Sequence, residues 1–194
     1  YNTLNLMENC DVIKICEIND NIKVPPQISI TTSPSEIFNS TDINVVIISV
    51  PNYLIKSYVI SCLDAGKHVF CEKPPSKNVK ELIEVKKHYA KHPNLKLKYG
   101  FNHRYHDSVS NALKIIQSKE YGKVVNIRGV YGKSKIVNIS TGWRSKRKYA
   151  GGGILLDQGI HMLDMINLFV DEIVEVKSMV SNTFWNKDIE DNAF

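Results

Sequence analysis

The apolar positions of this chain fall into short continuous runs separated by segments of helical period. Val12-Ile-Lys-Ile-Cys-Glu17-Ile18 is an apolar run closed by an acidic residue, the pattern of a buried parallel strand. Ile28-Ser-Ile30 predicts a second, shorter strand. Val45–Val50 is apolar on both faces and predicts a central parallel strand, while His68–Cys71 and Leu95–Tyr99 predict two more. Residues 2–9 read as the tail of a helix, with Leu4 and Met7 on one side. Ser33-Pro34-Ser-Glu36 has the form of a helix start, with Ser33 as N-cap and Glu36 closing a capping box, and this helix is expected to end near Ser40. Ile55, Tyr58, Val59 and Cys62 mark the inner face of a helix that Gly66 stops. Asn78 with Glu81 opens another, running to about Lys91.

Strands alternating with helices predict an open α/β sheet, and the chemically useful residues lie where its strands end. Ligands of doubly wound sheets bind at those carboxyl ends. Glu17 stands at the first such tip; a carboxylate there can bind both ribose hydroxyls of NAD, or simply mark where a strand meets solvent. Pro51-Asn52 follows the third strand, and Glu72-Lys73-Pro74 follows the fourth, a proline-held charged pair suited to presenting a lysine into a crevice. Val109, Ala112, Leu113 and Ile116 give one more amphipathic helix. From Lys123 the pattern changes: Val125, Ile127 and Tyr131 alternate as in a half-exposed antiparallel sheet, and Ile173–Val180 predicts a further strand. The domain boundary is therefore expected near Arg104, dividing residues 1–104 from residues 105–194. No G-x-G-x-x-G precedes the first strand, although that loop and its strand come first in a dinucleotide-binding domain. With Tyr at position 1 and an end at Phe194 inside an apparent strand, the expectation is a fragment.

The stretch Ala150–Asp164 has the densest chemistry. Gly151–Gly153 let the backbone pass close to another group or take positive φ, and the apolar positions Ile154, Leu155, Met162, Leu163 and Ile166 then predict a helix. Asp157 and His161, four apart, share a helix face and can touch. A carboxylate beside an imidazole raises its basicity and suits a general base, and equally describes a core histidine with its satisfied partner. The spacing is also that of zinc helices, but no third ligand or cysteine pair accompanies it, and no metal is expected.

At 43% hydrophobic and 23% charged residues, 194 residues can form one full core or two small ones. The net charge of +5 is spread along the chain and does not argue for nucleic acid; the run of cations from Lys133 to Lys148 fits an anion-attracting or a solvated loop. Cys10, Cys16, Cys62 and Cys71 show no C-x-x-C spacing, which suits a reducing compartment. No signal peptide or membrane-length apolar run is present, so no membrane partner and a cytoplasmic location are expected.

Four motifs occur in order: Ala65-Gly66-Lys67-His68-Val69 through Cys71-Glu72-Lys73-Pro74, Gly100-Phe101-Asn102-x-Arg104, Gly142-Trp143-Arg144, and Gly151-Gly-Gly153 with Asp157-x-Gly159-x-His161. Together they resemble the Gfo/Idh/MocA family, the family of glucose–fructose oxidoreductase and inositol 2-dehydrogenase, from about Asp11 to Phe194. The resemblance implies a Rossmann-type parallel-sheet domain, here without its first strand, then part of an α/β domain with a mostly antiparallel sheet, and a homo-oligomer when complete. It implies a nicotinamide cofactor and a sugar, nucleotide-sugar or polyol substrate. By it, Lys73, Asp157 and His161 are catalytic; Glu17, Pro51, Asn52, Glu72 and Arg144 contact the cofactor; and Asn102, with Lys73 and His161, contacts the substrate. His161 would be the base, Lys73 would stabilise charge on the same oxygen, and Asp157 would orient His161 or pair with Lys73. Glu17, with no arginine after it, favours NAD over NADP. Without the glycine loop the chain is expected to bind NAD poorly. The competing class is a non-catalytic NAD-binding sensor of the same fold.

Overall fold

The computed structural model describes residues 3–19, 21–132, 142–170, 172–185 and 187–194. Two parallel sheets form the N-terminal part. β1 (Lys14–Cys16) pairs with β2 (Ser29–Thr31), and β3 (Val45–Ile48), β4 (His68–Cys71) and β5 (Leu97–Tyr99) pair in that order. The helices are α1 (Pro34–Phe38), α2 (Asn52–Asp64), α3 (Val79–Tyr89), α4 (Asp107–Ser118), α5 (Arg147–Ala150) and α6 (Ile160–Phe169). A short antiparallel pair, β6 (Val180–Ser181) and β7 (Asn192–Ala193), lies near the end. No helix among the described residues is long and apolar enough to cross a membrane.

The core lies between one face of the three-stranded sheet and α2. Val46, Ile48, Val69 and Cys71 point inward from β3 and β4 and meet Ile55, Val59, Cys62 and Leu63 of α2, with Val85 of α3 behind them. Burying each such aliphatic side chain contributes about 1.5–3 kcal/mol. β3 departs from the expected central strand. It lies at the edge of its sheet, and Val45 and Ile47 on its second face stay 56% and 49% exposed. Phe38 of α1 packs edge-on against Tyr58 of α2 at 5.5 Å, and Cys16 of β1 packs against the same cluster.

Local helix signals vary in outcome with the competition for their hydrogen bonds. Asn78 caps α3 as expected, its Oδ1 accepting from Glu81 N at 3.0 Å, and Gly66 ends α2 at φ +75°. The expected capping box of α1 does not form. Glu36 Oε1 instead accepts from Thr31 Oγ1 at 2.7 Å, and the Ser33 hydroxyl bonds to Ser35 Oγ. Of the expected helix tail over residues 2–9, the described residues 3–9 hold a single 3-10 turn, Leu4–Leu6. The expected strand from Lys123 forms no ladder among the described residues, and that of Ile173–Val180 shrinks to β6; an antiparallel strand needs a partner that alternation alone does not supply.

The glycine block lies in a crowded place. Gly151 has φ +89°, and a Cβ there would overlap the backbone of Lys77. A Cβ on Gly153 would overlap the carbonyl of Glu190. Glu190 accepts from Gly153 N through Oε1 at 2.7 Å and from Ile154 N through its own carbonyl at 2.9 Å, and Arg147 Nη2 donates to Oε2 at 3.2 Å. The chain end thus supplies the cap of the helical segment that follows the glycines. Gly153→Ala is expected to destabilise the protein by about 1–3 kcal/mol through this overlap. Gly132→Ala, with nothing among the described residues within 4 Å of the new methyl, serves as the near-neutral control. Equilibrium urea unfolding of both variants checks the difference.

Candidate active site

Lys73 lies two residues past the carboxyl end of β4, joined to Pro74 by a cis peptide bond. Its ammonium reaches the helical segment after the glycines, donating to the carbonyl of Asp157 at 2.6 Å and to Asp157 Oδ1 at 3.1 Å. The Lys73 side chain is 17% exposed and that of Asp157 39%, so the pair is half-buried rather than sealed from water. Asp157 Oδ2 accepts from Gln158 Nε2 at 2.7 Å. Burial pushes the Asp157 carboxyl up, but the bond from Gln158 and the charges of Lys73 and Arg144 outweigh it and hold it below the usual range.

Asp157 makes no hydrogen bond to His161, contrary to the shared-face expectation. Residues Leu155–Gly159 form a π-helical turn that runs into α6. Its i→i+5 pairing widens the turn, so residues four apart no longer stack as on an α-helix. His161 is buried, and its Nδ1 has no hydrogen-bond partner among the described residues. Burial pushes the imidazole down to about 4, helped by His103 and Lys73, while Asp157 and Asp164 oppose the shift. The expected raised basicity is therefore corrected: this ring is neutral near pH 7, and desolvation outweighs the carboxylates.

The remaining expected residues distribute along the strand ends. Glu17 follows β1, its Oε1 accepting from Ile18 N at 2.8 Å and Asn19 N at 3.1 Å. Pro51 precedes α2 and provides no side-chain cap. Asn52, the first residue of α2, donates from Nδ2 to the carbonyl of Ala150 at 2.8 Å, tying α2 to the glycine block. Glu72 is exposed and lies against Gly100, where a Cβ would stand 3.2 Å from both carboxylate oxygens. Arg144 stacks on Trp143, with Cζ 4.3 Å from the indole centroid, and shares a pocket with Asn52, Gly153, Asp157 and Trp185. Asn102 opens an exposed 3-10 turn, Asn102–Tyr105, after β5. Lys73, Asp157, Asn52 and Arg144 are thus gathered around one region with His161 near it, whereas Glu17 lies at the tip of the separate β1–β2 sheet.

Residues 5–101 match the family described as "Oxidoreductase family, NAD-binding Rossmann fold", and residues 109–194 match the "GFO/IDH/MocA C-terminal domain". The chain belongs to the Gfo/Idh/MocA family. Levoglucosan dehydrogenase of Pseudarthrobacter phenanthrenivorans is 32% identical over 78% of this chain and 39% of its own length. Glucose-6-phosphate 3-dehydrogenase of Bacillus subtilis is 29% identical over 68% of this chain and 39% of its length. A levoglucosan dehydrogenase structure in complex with NADH and levoglucosan superposes with a TM-score of 0.79 at 29% identity, covering 85% of this chain and 47% of that one. The chain therefore spans less than half the length of these relatives.

Within this Gfo/Idh/MocA chain the strand-end residues fit a dinucleotide. The Glu17 carboxylate is fixed at a strand tip, α2 begins without a side-chain cap at the end of β3, and Gly100 leaves room for Glu72 beside the next tip.

Several residues that build the site carried no clear sequence signal. Arg104 forms a two-point ion pair with Asp164, through Nε to Oδ2 at 2.7 Å and through Nη2 to Oδ1, clamping the 3-10 turn to α6. Arg104 closes the Gly100–Arg104 motif and Asp164 the Ala150–Asp164 stretch, but nothing local paired them. His103 stacks on His161, and Gln158 completes the Asp157 contacts. Among the described residues no group of three His, Cys, Asp or Glu side chains is placed to hold a metal ion.

The depressed His161 has a consequence for stability. Above pH 6.5 the ring is neutral folded and unfolded; as pH falls toward 4 the unfolded chain takes up a proton that the folded one does not, and stability is lost. His161→Gln removes this contribution. Urea unfolding at pH 7.5 and pH 5 is expected to show a smaller loss for the variant than for wild type.

Proposed function

We propose that the complete protein is an NAD-dependent dehydrogenase that oxidises a hydroxyl carbon of a sugar, nucleotide sugar or polyol, or reduces the corresponding carbonyl. The observation that carries this reading is the approach of a lysine ammonium and a neutral buried imidazole at the carboxyl end of a parallel sheet. The family membership and the dehydrogenase names of its relatives support it.

Glu17, Pro51, Asn52, Glu72 and Arg144 would hold the nicotinamide dinucleotide. When bound, the nicotinamide supplies the hydride acceptor or donor. The protein's own groups handle the proton and the charge. His161 takes the hydroxyl proton through Nε2, since Nδ1 is sealed in and the neutral ring then carries its proton there. Lys73 spends two of its three N–H donors on the Asp157 carbonyl and carboxylate, and the third is left for the substrate oxygen as negative charge develops on it. Asp157 positions Lys73 and balances its charge. Asn102, on the turn after β5, would contact the substrate by its place in the Gly100–Arg104 motif.

The test is turnover by the full-length protein with NAD and a panel of sugars and polyols. Lys73→Met is expected to lower kcat/KM by about 10²–10³-fold, and His161→Gln by about 10²–10⁴-fold, with NADH binding retained by fluorescence titration. Wild-type activity in both variants would overturn the roles. Tight NADH binding without turnover on any substrate would instead support a sensor.

Glu17 carries the preference for NAD. Its charge would lie within a few ångströms of a ribose 2′-phosphate and disfavour it by about 1–4 kcal/mol near a protein surface. Glu17→Ser is expected to bring the NADP and NAD values of kcat/KM together; an unchanged ratio in steady-state kinetics would move Glu17 away from the ribose.

A further inference from the structure

The ring of His161 lies flat against that of His103, with centroids 4.1 Å apart and planes 13° from parallel. Among the described residues no carboxylate bonds to the His161 ring and its buried Nδ1 has no partner, while the oxygens of Asp157 are engaged by Lys73 and Gln158. The orientation of the ring therefore rests on packing. His103 covers one face, while the Phe101 and Tyr131 rings stand 6.3 Å away at 85° and 36°. His103 is itself held in place. Its neighbour Arg104 is paired with Asp164, about one turn beyond His161 on α6, and the rings of His106 and Tyr131 stand 5.3 and 5.6 Å from it.

We propose that His103 positions His161: its stacked imidazole takes the place of an orienting carboxylate and, once it is itself protonated as pH falls, opposes the protonation of the ring it covers. This rests on the reading of His161 as the base. Two imidazolium charges at this separation repel, so the pair titrates as a coupled unit and takes up its second proton reluctantly. His103 is the more accessible member. It is half-buried and borders a cavity of about 350 Å³ also lined by His106, Arg128, Met162 and Phe169. The charged and titratable groups facing the pair are Lys73 from the end of β4, His106 and Arg104 from the turn after β5, Arg128 across the cavity, Tyr131, and Asp157 and Asp164 from the helical segment. Burial lowers His103 first, with His106 and Lys73 adding to it and Asp164 opposing. A neutral stack at working pH leaves His161 free to accept the substrate proton.

Two variants of the full-length protein separate position from charge. His103→Phe keeps a flat ring without a titrating nitrogen, and His103→Ala removes the ring. In histidine-labelled NMR titrations without cofactor, His103→Phe is expected to move the His161 midpoint up, burial and Lys73 still holding it below the ordinary value. In kinetics the acid limb of kcat/KM should rise in parallel. His103→Ala should lose about 10- to 100-fold in kcat with little change in KM, and His103→Phe should restore most of that loss at pH values above the limb. An unchanged His161 midpoint in His103→Phe overturns the repulsion, and equal losses in both variants overturn the positioning. The base reading fails separately: if His161→Gln keeps wild-type turnover, that reading falls even where the NMR coupling between the rings is present.

Discussion

The ammonium of Lys73 is the contact on which the arrangement of this site depends. It leaves the end of one parallel strand and takes two acceptors from a single residue, the carbonyl and the carboxylate of Asp157. The neighbouring strand does something similar: past the end of β5, Arg104 reaches Asp164. Cys71 and Tyr99 are directly paired in the β4–β5 ladder, so the two strands that lead to these cations end at the same level of the sheet. They grip one helical segment at positions 157 and 164, with His161 between them. Removing either cation would leave a partly buried carboxylate unpaired, which is more damaging than never having had the pair.

Because Asp157 is committed to Lys73, His161 loses the partner that would have made it a stronger base. A depressed imidazole is a poor proton acceptor in isolation. The cation that helps depress it, however, is the one proposed to meet the substrate oxygen. A positive charge there lowers the proton affinity of the hydroxyl oxygen as well as that of the imidazole, so donor and acceptor shift in the same direction. In return the base stays unprotonated across the neutral range, without a carboxylate whose own protonation would have to be controlled.

How far the sequence carried this description depended on the range of the interactions involved. β4 was read to the residue, and α2 and α3 closely, because buried-face periodicity, Asn78 and Gly66 act within a few positions of the chain. Lys73, Asp157 and His161 were readable as a set through motifs, but their pairing was not. A π-turn has no compositional mark, and its extra width is what separates Asp157 from His161. The strands proposed for Lys123–Tyr131 and Ile173–Val180 failed for the opposite reason: their alternation is real, but a ladder is a property of two segments. The capping box at Ser33 lost its glutamate to Thr31, a competitor just outside the motif.

The glycine block shows most clearly where local reading stops. Three consecutive glycines announce a close approach, but the approaching groups, Lys77 on one side and Glu190 on the other, lie far away in the chain. Glu190 is 37 residues beyond Gly153 and serves two purposes there: its bulk requires the absent Cβ, and its side chain and carbonyl satisfy the amides of Gly153 and Ile154. A carboxylate at that end also complements the helix dipole. The order in the π-turn, and with it the carbonyl that Asp157 offers to Lys73, therefore begins with a residue near the other end of the chain. Glu190 carries no motif and no periodicity, and its role follows from the fold alone.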